Sequence, residues 1–315
     1  MKFSKIVREK FLSEIRARDL LSNEDGILVA FSGGPDSACL LHLMTSIRKK
    51  FSLRLAAAYI DHRLRPAETK KEIAFAVKTA REYGLPLFIT RLKIKETGMG
   101  PEAAARKYRY LALMSIAAEK GYGKIATAHT LNDQAETVLL NIIRSSGIDG
   151  IIGIPPARKM KDSKTGRTVT VIRPMLGISK KEVLGYLREN RLQSVTDSSN
   201  YDTRFTRNLI RARVMPMLEK INPAVLTHLS AIASWSDEAR KRLDADTGKL
   251  LRRIARKGRK SLYLDLPSFL KYNYSVKLRI IRCVLKYFNQ SPSLKQNQNL
   301  IKFASERTKR RRTMK

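Results

Sequence analysis

Ser32-Gly33-Gly34-Pro35-Asp36-Ser37 stands between an apolar run that reads as a strand, Ile27-Leu28-Val29-Ala30-Phe31, and one that reads as a helix, Ala38-Cys39-Leu40-Leu41-His42-Leu43-Met44. Two glycines at a strand-to-helix turn let backbone N–H groups converge with no Cβ in the way. The helix that follows directs its positive end and its unpaired N–H groups at the same spot. An anion, above all a phosphate, is the natural guest. No Gly-Lys-Ser/Thr closes the loop, so it is not of the Walker A type. Asp36 stands where that loop has its lysine, and a carboxylate beside a phosphate site is best explained by Mg²⁺ bridging the two. A plain Gly-Pro turn with an Asp/Ser helix cap is the bland alternative.

Outward from this loop, strand-like and helix-like stretches alternate from residue 26 to about 128. Strands are expected at 53–60, 87–90 and 124–128, and helices at 69–83, 102–120 and 132–144. Gly84 and Gly121 stop two of the helices. Such alternation predicts an α/β fold with a parallel sheet covered by helices on both faces. Ligands in these folds sit outside the carboxyl ends of the strands. Three polar segments fall at such ends: residues 32–37, Asp61-His62-Arg63-Leu64-Arg65, and His129-Thr130-Leu131-Asn132-Asp133-Gln134-Ala135-Glu136-Thr137. Further on, the polar residues 158–167 read as an exposed hairpin tip and 168–172 as a strand. Ser179 with Glu182 reads as a capping box opening a helix.

After Pro216 and Asn222-Pro223 the texture becomes helix-rich, with one strand candidate at 261–266. The expected domains are 1–216, carrying the loop and its partners, a smaller helix-rich domain at 217–290, and a basic, flexible tail at 291–315. The 315 residues carry 63 Lys+Arg against 28 Asp+Glu, a net charge of +35. That surplus acts on association rather than fold, and a polyanion is the obvious partner. No apolar run is long enough to span a bilayer, and no secretory signal is read at the basic N-terminus, where Glu9 and Glu14 interrupt the charge. Cys39 and Cys283 lie far apart in helical patterns and read as buried thiols in a reducing compartment. No Cys-x-x-Cys or Cys/His cluster is present to hold zinc or an iron–sulfur cluster.

If helical, His129, Asp133 and Glu136 share one face, which could position Mg²⁺ or a substrate ammonium. His62 and Arg65 lie just past the second strand, where a nucleotide would sit. Arg106 and Tyr110 share a helical face, with Arg109 adjacent, and arginine makes bidentate contacts to phosphate that lysine cannot. Asp197-Ser198-Ser199-Asn200-Tyr201-Asp202 leads into a basic helix bearing Arg204, Arg207, Asn208 and Arg211, with Tyr201 and Phe205 interleaved, a pattern suited to nucleic acid.

Taken in order, these motifs, with Arg144-Ser145-Ser146-Gly147 and Ile172-Arg173-Pro174, resemble those of the tRNA(Ile)-lysidine synthetases, a branch of the PP-loop ATP pyrophosphatase group, over residues 27–218. The resemblance implies an adenine nucleotide alpha hydrolase-like domain and an ATP-dependent C–N ligase in the cytoplasm. Its substrates would be ATP, free L-lysine and a CAU-anticodon tRNA(Ile), whose wobble cytidine becomes lysidine so that decoding changes from AUG to AUA. It implies ATP on Ser32, Gly33, Gly34, Pro35, Asp36, Ser37 and His62, with Mg²⁺ at Asp36. Catalytic roles fall to Asp36, Arg106, His129, Asp133 and Glu136. Contacts to tRNA fall to Arg65, Arg109, Arg173, Arg204, Arg207, Asn208 and Arg211. A homodimer is compatible with it. The chain departs from the family in Asn132-Asp133, where two aspartates are usual, so the essential carboxylate is assigned to Asp133. Longer members have two C-terminal domains, and part of the usual tRNA-gripping surface is expected to be absent or replaced. The rival readings are a PP-loop tRNA thiolase, which generally needs paired cysteines, and a non-catalytic RNA-binding protein on the same fold.

Overall fold

A computed structural model describes residues 2–61, 66–92, 101–144, 150–195, 206–259, 261–288, 290 and 294–313. The strand ahead of the glycine loop, β1 (Gly26–Ala30), is buried over its three central residues. Such two-sided burial belongs to the middle of a parallel sheet. β1 pairs in parallel with β2 (Arg54–Asp61) on one side and with β4 (Lys124–Ala126) on the other. β3 (Leu87–Arg91) extends the sheet beyond β2, and β6 (Thr168–Ile172) extends it beyond β4. β5 (Ala157–Lys161) closes that edge as the antiparallel partner of β6, so the order is β3-β2-β1-β4-β6-β5. The polar stretch expected as a hairpin tip is therefore a strand and its turn. Its Arg, Lys and Met read poorly as a strand, but charge suits an edge that must not pair further.

The alternation of side chains divides the core. Ile27 and Val29 face a layer made with α1 (Lys2–Ala17), α2 (Pro35–Ile47) and α6 (Lys180–Glu189), through Val7, Phe11, Leu41, Met44, Val183 and Tyr186. Leu28, Ala56 and Ile125 face the other way, onto Leu113, Met114 and Ala117 of α4 (Pro101–Glu119). α3 (Pro66–Glu82) connects β2 to β3, and α5 (Leu131–Ile143) follows β4. The chain winds outward from β1 to β3 and then crosses to β4 on the other side of β1. This reversal leaves a crevice at the carboxyl ends of β1 and β4. The glycine loop and the 129–136 segment flank it.

After residue 205 the backbone runs through α7 (Thr206–Leu209), a π-helical turn (Ile210–Val214) and α8 (Met215–Ile221). Pro216 offers no N–H and crowds the carbonyl four residues earlier. The Met215 amide bonds instead to the Ile210 carbonyl, which widens the turn. α9 (Val225–Ile254) follows.

Two compact units result, Met1–Ala233 and Ser234–Lys315. The boundary expected at 216/217 falls within the first, because Ile210, Met215, Leu229 and Ala233 share a core with Ala135 and Val138 of α5. In the second, the hairpin β7 (Ala255–Lys257) and β8 (Leu262–Leu264) accompanies α10 (Leu266–Lys271), α11 (Tyr274–Tyr287) and α12 (Leu294–Thr313). The tail expected to be flexible is thus helical over most of its length. Ile301 is buried against Ile254, Phe269 and Ile280, an apolar contact that the polar composition of the segment conceals.

Candidate active site

Gly33 has φ +82°, a conformation L side chains rarely adopt, and a Cβ there would press on Phe75. Its carbonyl accepts from the Val195 amide at 2.9 Å, which pins the loop to a distant segment. Ser37 Oγ donates to the Gly34 carbonyl (2.9 Å) and accepts from the Ser32 amide (3.3 Å). No side chain caps α2 at Gly34, so the first-turn amides remain available to an anion. Asp36, in that first turn, has its carboxyl pushed up to about 6. Burial is the main cause; Lys180 pulls it down, Asp133 raises it, and Arg211 and Glu136 act in smaller measure in opposite senses.

Across the crevice, Thr130 caps α5. Its hydroxyl and amide both donate to Asp133 Oδ2 at 2.9 Å, and Asp133's amide returns a bond to Thr130 Oγ1. This reciprocal box fixes Asp133 in the first turn. The next residue back, Asn132, accepts from the Lys180 amide at 2.9 Å, tying the start of α5 to the start of α6. α6 is itself capped by the predicted Ser179–Glu182 box.

Glu136 is 2% exposed. Arg211 reaches it with Nε at 2.7 Å and Nη2 at 2.8 Å, and Arg207 with Nε at 3.2 Å. Arg211 also lies 3.3 Å from Asp133 Oδ1, and Arg207 lies 3.7 Å from it. The structure therefore gathers Asp36, Asp133, Glu136, Lys180, Arg207 and Arg211 around the crevice. Arg207 and Arg211, expected as tRNA contacts, have their guanidiniums turned inward onto carboxylates. Glu136 takes three arginine bonds and Asp133 Oδ1 one, from Arg211, whereas Asp36 makes no ion pair within 4 Å among the described residues and is the least engaged of the three carboxylates.

His129 follows β4 and bonds through Nδ1 to Thr127 Oγ1 at 3.0 Å. Burial holds its imidazole far toward the neutral form, with Arg173, Arg106 and Arg207 adding to that and Asp133 opposing it. Arg173 is 4% exposed, and its guanidinium donates to the Pro155 carbonyl (2.7 Å) and to Tyr110 Oη (3.4 Å). A contact with tRNA is not one that this burial offers. Arg106, exposed on α4, has its Cζ 5.7 Å from the Tyr110 ring centroid. Arg109 is exposed on the same helix. His62, Arg65 and Arg204 lie outside the described residues, as do 197–202. Lys180 is not legible in the sequence, because one lysine in so basic a chain carries no signal.

A family profile described as a PP-loop domain matches residues 4–218. The chain is 32% identical over 284 residues to a tRNA(Ile)-lysidine synthase of Caldanaerobacter subterraneus subsp. tengcongensis, covering 89% of this chain and 59% of that protein. It is 33% identical over 302 residues to the tRNA(Ile)-lysidine synthase of Thermosipho africanus, covering 93% and 66%. The chain thus spans less than two thirds of the length of these curated relatives. Among solved structures, the U34-tRNA thiolase NcsA from Methanococcus maripaludis superposes with a TM-score of 0.62 at 22% identity, over 74% of this chain and 78% of that one. This is a likeness of fold. With the family profile spanning the whole loop-bearing unit up to α8, the chain belongs to the PP-loop family.

Proposed function

We propose that the chain carries out lysidine formation: ATP-dependent ligation of L-lysine to C2 of the wobble cytidine of CAU-anticodon tRNA(Ile), in the cytoplasm. The observation that carries this reading is the juxtaposition, across one crevice, of an uncapped glycine loop bearing Asp36 and a carboxylate–arginine cluster on Asp133 and Glu136. It agrees with the names of relatives matched over about nine tenths of the chain.

In this reading the phosphates of ATP lie on residues 32–37, and cytosine O2 attacks the α-phosphate as the bond to pyrophosphate breaks. The lysine ε-amine then forms a bond to C2, the C2–O bond breaks, and AMP leaves. The uncapped amides of α2 and the Arg106 guanidinium stabilise charge on the α-phosphate. Asp133 is suited to hold the incoming ammonium, and Glu136 to anchor Arg207 and Arg211. His129, held neutral by burial and surrounding arginines, becomes a better proton acceptor once phosphates offset that positive charge.

The donor set fits Mg²⁺. Asp36 is a carboxylate short of compensating charge, with Asp133 beside it. Among the described residues no three His, Cys, Asp or Glu side chains form a metal cluster by themselves. Mg²⁺ characteristically completes one or two carboxylates with substrate phosphates. Asp36 would hold the ion, whose charge would offset that of the phosphates. Cysteine chemistry has no support, because Cys39 is fully buried and burial pushes the thiols of both Cys39 and Cys283 upward, away from the reactive thiolate.

The test is to incubate the purified chain with ATP, lysine, Mg²⁺ and a tRNA(Ile) transcript bearing CAU, and to analyse its nucleosides by mass spectrometry. Lysidine at the wobble position is expected. A thiolated cytidine formed with a sulfur donor would establish the thiolase reading instead. Unmodified tRNA that is nonetheless bound would point to a non-catalytic RNA-binding protein.

A further inference from the structure

Arg173 follows β6 directly, and its position is over-determined. Its amide donates to the Pro156 carbonyl at 2.9 Å, Nη1 to the Pro155 carbonyl at 2.7 Å, and Nη2 to Tyr110 Oη at 3.4 Å. Its Nε is buried with no partner among the described residues. After burial, the groups that act on it are Tyr110 and two further cations, Arg106 and Arg158. A buried guanidinium with cations for neighbours and no carboxylate partner carries a desolvation cost. Its bond to the Pro155 carbonyl ties the end of β6 to the segment before β5, and its bond to Tyr110 reaches α4.

Tyr110 connects it to the crevice. One turn earlier on α4, Arg106 lies with its guanidinium over the face of the Tyr110 ring, a cation–π contact. The phenol is thus fastened at its hydroxyl by Arg173 and carries Arg106 on its face. That ring is what steadies the exposed Arg106 side chain.

We propose that Arg173 is a positioning residue, which fixes the Tyr110 ring and through it sets Arg106 toward the phosphates of the nucleotide. This rests on the proposed function for its rate readout, but its binding readout requires only a nucleotide. The geometry predicts losses of affinity and turnover that do not follow the thermal midpoint across the variants.

The experiment uses the full chain with R173M, R173K, Y110F, R106A and the R106A/R173M double variant. Each is measured for thermal midpoint, for affinity toward a non-hydrolysable ATP analogue, and for lysidine formation. R173M is expected to fold with a modestly lowered thermal midpoint, because the Pro155 carbonyl loses its donor, to bind the analogue about fivefold more weakly and to turn over about 30-fold more slowly. R106A/R173M should be no worse than R106A alone, because one residue acts through the other. Y110F and R173K should each show part of the same loss at unchanged thermal midpoint. Additive losses in the double variant, losses that track the thermal midpoint, or near-normal binding and turnover in R173M would each overturn the proposal. If R173M does not fold, Y110F and R173K carry the same decision. If the wild type binds nucleotide but makes no lysidine, the functional reading fails, and the coupling of Arg173 to Arg106 is still decided by analogue affinity.

Discussion

Arg211 grips both carboxylate oxygens of Glu136, its Nε 2.7 Å from Oε1 and its Nη2 2.8 Å from Oε2. Arg207 adds a third bond at 3.2 Å. The arrangement gives Glu136 the character of an anchor for two arginines at the crevice, and in the proposed function ligand chemistry falls to Asp36 and Asp133.

Glu136→Gln tests that division of roles. The side chain is 2% exposed, while Arg207 and Arg211 are 19% and 25% exposed at their side chains, so solvent relieves part of the broken pairing. A destabilisation of about 1–3 kcal/mol is expected, below the full cost of stripping one partner from a wholly buried pair. Urea unfolding gives the number. A variant with unaltered stability but abolished lysine affinity would assign Glu136 to the substrate instead.

Asp36 should show the opposite behaviour. Its carboxyl titrates at about 6 in the folded chain, above the ordinary aspartate value of 3.8. The folded state therefore holds the proton more tightly than the unfolded one. The stability this gives is present below pH 4 and is lost as pH rises through about 6. Asp36→Asn should match the wild type at pH 4 and exceed it by about 1–3 kcal/mol at pH 7.5, because it removes a desolvated charge. Mg²⁺ with an ATP analogue should stabilise the wild type and leave the variant nearly unmoved. Equal stability of the two proteins at pH 7.5 without ligands would contradict the assignment.

Much of the fold and part of the site are legible in the residues, for a physical reason. Apolar runs and glycine stops mark the strands and helices of a parallel α/β unit, and the glycine loop marks where a ligand meets it. Pairing at a distance is what the pattern hides. Arg211 and Glu136 are 75 residues apart, and nothing in a basic segment says which arginines turn inward. The Lys180 amide on Asn132 spans 48 residues and is equally silent. α1 carries no clear mark because Val7, Phe11 and Ile15, buried at spacings of four, lie among charged residues. Pro216 reads as punctuation, but its effect, a π-helical turn that carries Arg211, emerges only from the backbone.

The resemblance implies an aspartate where this chain has Asn132, and the bond that Asn132 makes does not depend on the difference. Oδ1 accepts from the Lys180 amide, a bond that a carboxylate would make equally well. Asn132→Asp should therefore preserve the fold, with stability within about 1 kcal/mol of the wild type. The added negative charge beside the crevice should raise the titration point of Asp36 further and steepen the Mg²⁺ dependence of nucleotide binding. Titrations with Mg²⁺ at pH 6 and pH 8 would reveal this, and identical curves for both proteins would show that Asn132 is electrostatically remote from the loop.

The C-terminal helix calls for a charge variant in place of a truncation. Deleting residues 291–315 removes Ile301, which is buried against Ile254, Phe269 and Ile280. Loss of a buried isoleucine by itself costs about 2–5 kcal/mol, so a truncated protein would confuse binding with unfolding of the second unit. Replacing Lys309, Arg310, Arg311 and Arg312 by glutamine keeps the helix, since glutamine has a helix propensity close to that of lysine and arginine. If these residues touch tRNA phosphates, the plot of log affinity against log salt should flatten by about 0.7–0.9 for each phosphate no longer neutralised. Binding of the ATP analogue should be unchanged, because the glycine loop belongs to the other unit. A tRNA titration at several salt concentrations separates the alternatives. A parallel line with weaker affinity would mean a salt-independent loss and not a loss of charge pairing, and an unaltered line would place the electrostatic grip on the other basic residues of this chain of net charge +35.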